Sequence, residues 1–361
     1  MTIRELFARF DTPVKKINAV IATVAIVVAV IYPFAVEAPL VSVGFVALIF
    51  AMRNFTWNIA GGLAGLLSLA HVAAFGIGAF AVAILTWTHG WNVWLAILVG
   101  MALSAVVGVV VSVIMSRFGV NAFFFALGTL ALSLALAGIA ASWSVTGRNE
   151  GLQNLSADEG LLHLQWFTNP VPLYFVALVL LAAMVIGTAW MVKRTRFGRS
   201  LAFIREDPQM AASMGIDVVR NQAGAMGLSM GLTAVSGSLM AQYTNFVSYD
   251  SVLNMEIGIA MMVGAIIGGS ATLAGPIVAG IGIAALDEVL RSFDVSSSNV
   301  SSYTQIMYAV IVILLVRFGT DGIVPMWNAL LERLFGDGSE PGPDDLEDER
   351  RNETEKEVAH A

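Results

Sequence analysis

The chain has no cysteine and only four histidines, at positions 71, 89, 163 and 360. These absences exclude disulfides, thiolate catalysis and cysteine-ligated metal, and the histidines are too scattered for a metal-ligand cluster. Charge is scarce as well: Asp, Glu, Lys and Arg make up 12% of the 361 residues, where a soluble domain has about 25%. What fills the space is apolar, at 57% of the chain. The apolar residues fall in long blocks and not at amphipathic spacing, so the expected fold is all-α, a polytopic transmembrane helical bundle.

The formal net charge of -7 belongs to one end. Residues 337–361 contain ten acids and three bases, and the preceding 336 residues balance at 16 of each sign. We therefore expect four regions: an N-terminal cytoplasmic segment (1–16), a transmembrane domain (17–318), a C-terminal amphipathic segment (319–336) and an acidic, disordered tail (337–361).

A bilayer core needs roughly 20 apolar residues per helix. On that ruler about ten spans are expected, near 17–36, 39–53, 66–87, 93–115, 120–143, 171–192, 221–243, 256–272, 274–291 and 303–318. The first is too long for the apolar core of a cleaved signal peptide, so it counts as a span. Arg4, Arg9, Lys15, Lys16, Arg53, Arg117 and the bases of loop 193–220 fall on one side of this arrangement. Since cytoplasmic loops retain Lys and Arg, both termini are expected in the cytoplasm, in a multi-pass plasma-membrane protein.

One stretch does not fit the ruler. Asn54 to Trp87 holds 34 residues without a Lys, Arg, Asp or Glu, too many for one straight span and too few for two with a loop. A broken or re-entrant segment is expected there, which a membrane tolerates only where protein or a water-filled cavity satisfies the freed backbone. Gly61 and Gly65 interrupt it, and a second interruption gathers Gly264, Gly268, Gly269, Gly275 and Pro276. Such breaks occur near substrate pathways. The alternative is close helix crossing at small residues, as in Gly61-xxx-Gly65, Gly227-xxx-Gly231 and Gly264-xxx-Gly268.

Candidate pathway residues are polar and uncharged: Asn58, Ser68 and His71 in the broken segment, Thr129 and Ser133 in the fifth span, and Gln242, Tyr243 and Asn245 leaving the seventh. Each has a second reading. His71 can bond a backbone group at a helix end, and the hydroxyls can join helices. Mid-span positions are almost free of charge, unlike a carrier that couples to protons or sodium. No Gly-xxxx-Gly-Lys-Ser/Thr loop occurs, so the chain itself has no such nucleotide site. No catalytic cluster, metal site or nucleic-acid partner is expected.

The loop 193–220 is the informative one. Asp207-Pro208 reads as an N-cap followed by proline at the first helical position, and Gly215 suits the left-handed residue that ends a helix. The result is a short cytoplasmic helix that leaves Met210, Met214 and Ile216 without a core of their own. Either a protein partner or anionic lipid could cover them.

RTRFGRSLAFIREDPQMAASMGI in this loop resembles the corresponding loop of permease subunits of branched-chain amino-acid ABC transporters, the Liv type, where the pattern is close to RTRFGRALRAIRED. AGGLAGLLSLAHVAAFGIGAF (60–80) is similar to the family's NLLLGYAGQLSLGHAAFFGIGAY, VTGRNEGL (145–152) to TGGSDGL, and MEIGIAMMVGAIIGGSATLAGPIVAG (255–280) to SIEILLMVVIGGLGSLWGPVLGA. Arg148, Asn149 and Glu150 stand where the family has Gly-Ser-Asp, and Ser270, Ala271 and Thr272 where it has Leu-Gly-Ser.

The resemblance implies a permease that pairs with a homologous second permease as a heterodimer, sits on two ATP-binding subunits that bind the ATP and Mg, and receives substrate from an extracytoplasmic binding protein. The chain would carry no cofactor of its own. Residues Arg199, Glu206, Asp207, Pro208, Met210, Met214, Gly215 and Ile216 would then form the ATPase-coupling element. The family also includes permeases for urea and short amides, so the substrate stays open between these and branched-chain amino acids. A secondary transporter working without ATPases is the alternative from a different class.

Overall fold

The computed structural model describes residues 13–154, 160–166, 169–270, 272–292 and 322–335. The serine-rich segment 293–302, the span expected at 303–318 and the acidic tail 337–361 lie outside the described residues. Contacts divide the chain into one compact unit of residues 27–326 and a second that joins 1–26 with 327–361. Of the second unit, the described parts are the beginning of α1 (Pro13–Ala35) and the end of α13 (Ile323–Phe335).

Among its described residues the larger unit is built of helices and turns, with one ribbon of two two-residue strands. Its elements are α2 (Ala38–Asn58), α3 (His71–Val82), α4 (Val93–Arg117), α5 (Ala122–Ser142), β1 (Leu152–Gln153), α6 (Val171–Arg194), α7 (Arg196–Glu206), α8 (Pro208–Ser213), α9 (Val218–Thr244), β2 (Phe246–Val247), α10 (Tyr249–Val252), α11 (Met255–Gly269) and α12 (Gly275–Ser292). Both α2 and α3 run on into wider π-helical turns, Ile59–Leu63 and Ala83–Thr88. Antiparallel pairing sets Leu152 opposite Val247 and Gln153 opposite Phe246.

Among the described residues, seven helices are long and apolar enough to cross a membrane. They confirm an all-α, multi-pass architecture; a count of ten is not confirmed. One boundary moves. The helix expected at 39–53 continues to Leu63, so Arg53 lies inside a span and not in a turn. The guanidinium is buried and sits 3.5 Å above the Phe50 ring centroid, a cation–π contact that makes the charge tolerable at that depth.

Local rules place the helix starts. Asn92 accepts from the Trp94 N–H (2.9 Å), Asn121 from Phe124 (3.1 Å), Asp217 from Arg220 (3.0 Å) and Asn254 from Glu256 (3.0 Å), so α4, α5, α9 and α11 each begin on a side-chain cap. Pro170 and Pro172 flank the start of α6, where a missing N–H costs nothing.

Helix α9 is the hub. It packs against α2, α3 and α4, and 78% of its span is buried, against 17% for α5. Small residues permit the approach. A side chain at Gly227 would meet Val109, and one at Gly231 would meet Ala105 and Met101, so this pair seats α9 on α4. The tightest crossing is α3 on α9, where Gly78 faces the Ala234 carbonyl and Gly237 faces the Phe75 carbonyl. Neither glycine stands in the Gly-xxx-Gly pairs read from sequence. The Gly61-xxx-Gly65 pair departs from that reading too: Gly61 lies against the Trp57 indole of its own helix, and Gly65 takes φ +72° where the helix has ended.

Gly237→Ala puts a methyl on the Phe75 carbonyl and is expected to destabilise the protein by about 1–3 kcal/mol. Gly187→Ala on α6, where a new Cβ meets nothing within 4 Å, is expected to be neutral or stabilising by up to about 1 kcal/mol. Thermal unfolding in detergent separates the two.

Candidate functional site

Between Leu63 and His71 the chain unwinds at membrane depth. Every backbone group freed there needs a partner, because an unmet amide costs several kcal/mol in an apolar medium. The partners come from α2 and its π-helical extension, from the break itself and from α5. The Leu66 N–H reaches back to the Ala60 carbonyl (2.9 Å). The Trp57 indole N–H donates to the Ser68 carbonyl (2.7 Å), and the Ser68 hydroxyl accepts from the Ala70 N–H (3.1 Å). From α5, the Thr129 hydroxyl accepts the Leu69 N–H (3.0 Å), and Ser133 donates to the Leu69 carbonyl (2.9 Å). Thr129 and Ser133 are one turn apart, so one face of α5 supplies both an acceptor and a donor to the same residue.

His71 begins α3 and is fully buried. Its Nε2 lies 2.7 Å from the Ser229 hydroxyl, which itself donates to the Thr56 carbonyl of α2 (2.5 Å). With the hydroxyl proton spent on that carbonyl, Nε2 must donate, which fixes the proton of the imidazole on Nε2. The Thr56 and Thr233 hydroxyls meet one turn away at 2.8 Å. Asn58 donates to the Thr272 carbonyl (2.8 Å), tying the end of α2 to the turn between α11 and α12. At that turn Gly268 lies against the backbone of Gly275 and Pro276, and Gly269 adopts φ +114°. Gly264 leaves room for the buried Asn54 side chain.

The eight candidates read from sequence therefore fall into two groups. Asn58, Ser68, His71, Thr129 and Ser133 gather around the break as buried internal partners. Gln242, Tyr243 and Asn245 stand at the other end of α9. There Gln165 donates to Gln242 Oε1 (3.1 Å) and Asn245 Oδ1 (2.8 Å), Asn154 donates to Asn245 Oδ1 (3.1 Å), and Tyr243 stacks on Phe45 at 4.8 Å between centroids. Asn245 has φ +54°, the left-handed turn that delivers the chain from α9 to the ribbon. Sequence reading missed Trp57, Thr56, Ser229 and Thr233. A tryptophan beside the break was a signal; serines and threonines on a polar face of α9 recurring at 229, 233 and 236 were another. A shallow groove next to the break is lined by Leu69, Val72, Ser133, Leu253, Met255 and Gly258.

The 193–220 loop forms two helices joined by one residue. Asp207 is the C-cap of α7 and the N-cap of α8, its carboxylate accepting from the Gln209 (2.7 Å) and Met210 (3.0 Å) N–H groups. Pro208 opens α8. Gly215 ends it at φ +81°, with N–H bonds from Gly215 to the Ala212 carbonyl and from Ile216 to the Ala211 carbonyl. Only Ala211 of α8 is buried, while Met210 and Met214 are 64% and 60% exposed and Ile216 is half-buried. Arg199, Glu206 and Phe203 are exposed as well.

Interrupted spans held by internal hydrogen bonds, together with a capped helix in the basic 193–220 loop, fit a multi-pass membrane protein of the transporter class. The family model of the branched-chain amino acid transport system / permease component matches residues 39–316, and the chain belongs to that family. Its relatives include the high-affinity branched-chain amino acid transport system permease protein LivM of Escherichia coli (strain K12), 24% identical over 86% of this chain and 76% of LivM. The autoinducer 2 import system permease protein LsrC of Salmonella paratyphi B (strain ATCC BAA-1250 / SPB7) is 25% identical over 74% of this chain and 77% of LsrC. The fructose import permease protein FruF of Bifidobacterium longum (strain NCC 2705) is 24% identical over 65% of each chain. No solved structure matches. The chain is thus a permease component of an ABC transport system, a class that works with ATPase and substrate-binding partners.

Ser229→Ala removes the hydroxyl that serves both the Thr56 carbonyl and His71. Leaving two buried polar groups unmet is expected to cost about 1–3 kcal/mol, read as a lower melting temperature of the purified protein. An unchanged melting temperature would show that the clamp contributes nothing to holding the break.

Proposed function

We propose that the chain is the permease subunit of an ATP-driven importer for branched-chain amino acids, with both termini cytoplasmic, forming one half of a pathway completed by a second homologous permease. Two ATP-binding subunits would bring the ATP and Mg. An extracytoplasmic binding protein would deliver the substrate. The observation that carries the reading is α8: a two-turn helix, capped at both ends and placed in the most basic loop, whose methionines point away from the rest of the chain. An apolar side chain left in water costs roughly 1.5–3 kcal/mol relative to burial, and methionine adapts readily to a partner groove. Exposed Lys193, Arg194, Arg196, Arg199 and Arg205 beside it support a cytoplasmic position.

In this reading the pathway follows the groove beside the break, with Ser133 in its wall, Asn58, Ser68, His71 and Thr129 buried behind it where they hold the break in shape, and Gln242, Tyr243 and Asn245 toward its outer mouth. The candidate groups are uncharged, as suits a subunit that passes on a substrate that another protein binds tightly. Relatives named for autoinducer 2 and fructose import support a second reading in which a polar neutral molecule is carried; a urea or short-amide substrate belongs with it.

Replacing Met210 and Met214 by Glu together is expected to abolish co-purification of the ATPases from native membranes while leaving the second permease attached. A protein that purifies alone as wild type and transports in liposomes without ATP would overturn the importer reading and favour a secondary carrier.

A further inference from the structure

Among the described residues of the larger unit, the buried apolar side chains form two clusters. The main one contains most of α2, including Trp57, with α6 and the outer half of α9. The smaller one gathers the residues flanking the break, Ala60, Ala64, Leu66, Ala70 and Ala74, with Phe125, Ala225, Met226, Met230 and, from the cytoplasmic loop, Leu201. The break thus shares its packing with α7 and not with the main core.

The seating of α7 is one-sided. Gly198, Leu201 and Ile204 are buried, and Arg199, Phe203 and Arg205 are exposed. Gly198 lies against the last turn of α6, and a Cβ at Gly65 would stand 3.5 Å from the Arg205 Cα, in ordinary contact. At its far end α7 has no linker to α8, because Asp207 belongs to both helices. Its carboxylate locks the first turn of α8, and its N–H bonds the Phe203 carbonyl of α7 (3.1 Å). A hinge needs residues that can absorb a change in φ and ψ; this junction has a single residue, and that residue is hydrogen-bonded in both directions.

We infer that α7 is the rigid arm that carries displacement of α8 to the break at 64–70, with Leu201 and Arg205, whose backbone lies beside Gly65, as its positioning residues, so that the unwound segment is the part of the membrane domain that responds to the ATPases. The inference rests on the docking role proposed for α8. Close-packed interiors transmit strain, and the polar ties of the break to α5 through Leu69 extend the displacement from α7 to that helix. The Trp57–Ser68 bond joins the break to the main core and serves as its fixed point.

Absence of cysteine makes the test direct. Leu67→Cys places a single thiol in the break, at a side chain that is 40% exposed, and a nitroxide attached there reports the mobility of the segment in the assembled complex. The expected result is a spectrum that changes between nucleotide-free and ATP-trapped complexes, and a change that disappears when Leu201→Ala is added. In parallel, Leu201→Ala should keep the ATPases bound and hydrolysing ATP while substrate moved per ATP falls by about fivefold or more, the lower end of ordinary coupling between sites. Leu201→Met preserves volume and should restore both readouts, and it serves as the packing control should the alanine variant fail to assemble. A nitroxide spectrum that ignores ATP in the wild-type background, or an unchanged transport-to-hydrolysis ratio in an intact Leu201→Ala complex, overturns the inference. Loss of ATPase binding by the wild type overturns the docking role instead.

Discussion

An amide with no water to bond is the constraint that organises this molecule. Unwinding α2 from α3 at membrane depth frees the backbone of residues 64–70, and a bilayer offers those groups nothing. Each neighbouring element contributes a side chain to the repair: Trp57 from α2, Thr129 and Ser133 from α5, and Ser68 from the break itself. His71 and Ser229 then pin the restart of the helix to α9 and, through the Thr56 carbonyl, to α2. The hub position of α9 follows, since a helix that offers Ser229, Thr233, Ser236 and Ser238 must keep that side inside protein.

The same constraint decides what could be read from sequence. The break was legible because 34 uncharged residues interrupted by glycines fit neither one span nor two. Its supports were only half legible. Thr129, Ser133, Ser68 and His71 stood out as polar groups in apolar runs, but residue type cannot say whether a hydroxyl faces a substrate or a neighbouring carbonyl, because both need the same donor. Trp57 looked like one more large apolar side chain until its N–H found the Ser68 carbonyl. Arg53 misled in the opposite direction: charge normally marks the end of a span, and here an aromatic ring allows the helix to continue past it.

The 193–220 loop was the easiest part to read and the glycine contacts the hardest, for one reason. A cap, a helix-opening proline and a terminating glycine lie within nine residues, so Asp207, Pro208 and Gly215 announce α8 without help from the rest of the chain. Gly78 and Gly237 lie on different helices, 159 positions apart in sequence. Nothing local distinguishes them from Gly138 or Gly187, which a Cβ would leave in open space. Their meaning exists only after α3 and α9 have met.

Helix α9 is the least apolar of the seven spans and the most buried. A segment of that kind gains little from entering lipid alone, because its serines and threonines would then face hydrocarbon without partners. The strongly apolar α4 and α6, largely uncovered in the finished structure, can enter the bilayer on their own merits as they emerge during synthesis. For α9 the favourable solvent is the protein already inserted, with α3 and α4 in place to receive it. The hydrogen bonds of Ser229 to His71 and to the Thr56 carbonyl, on the two sides of the break, therefore exist only once α9 is seated among its neighbours.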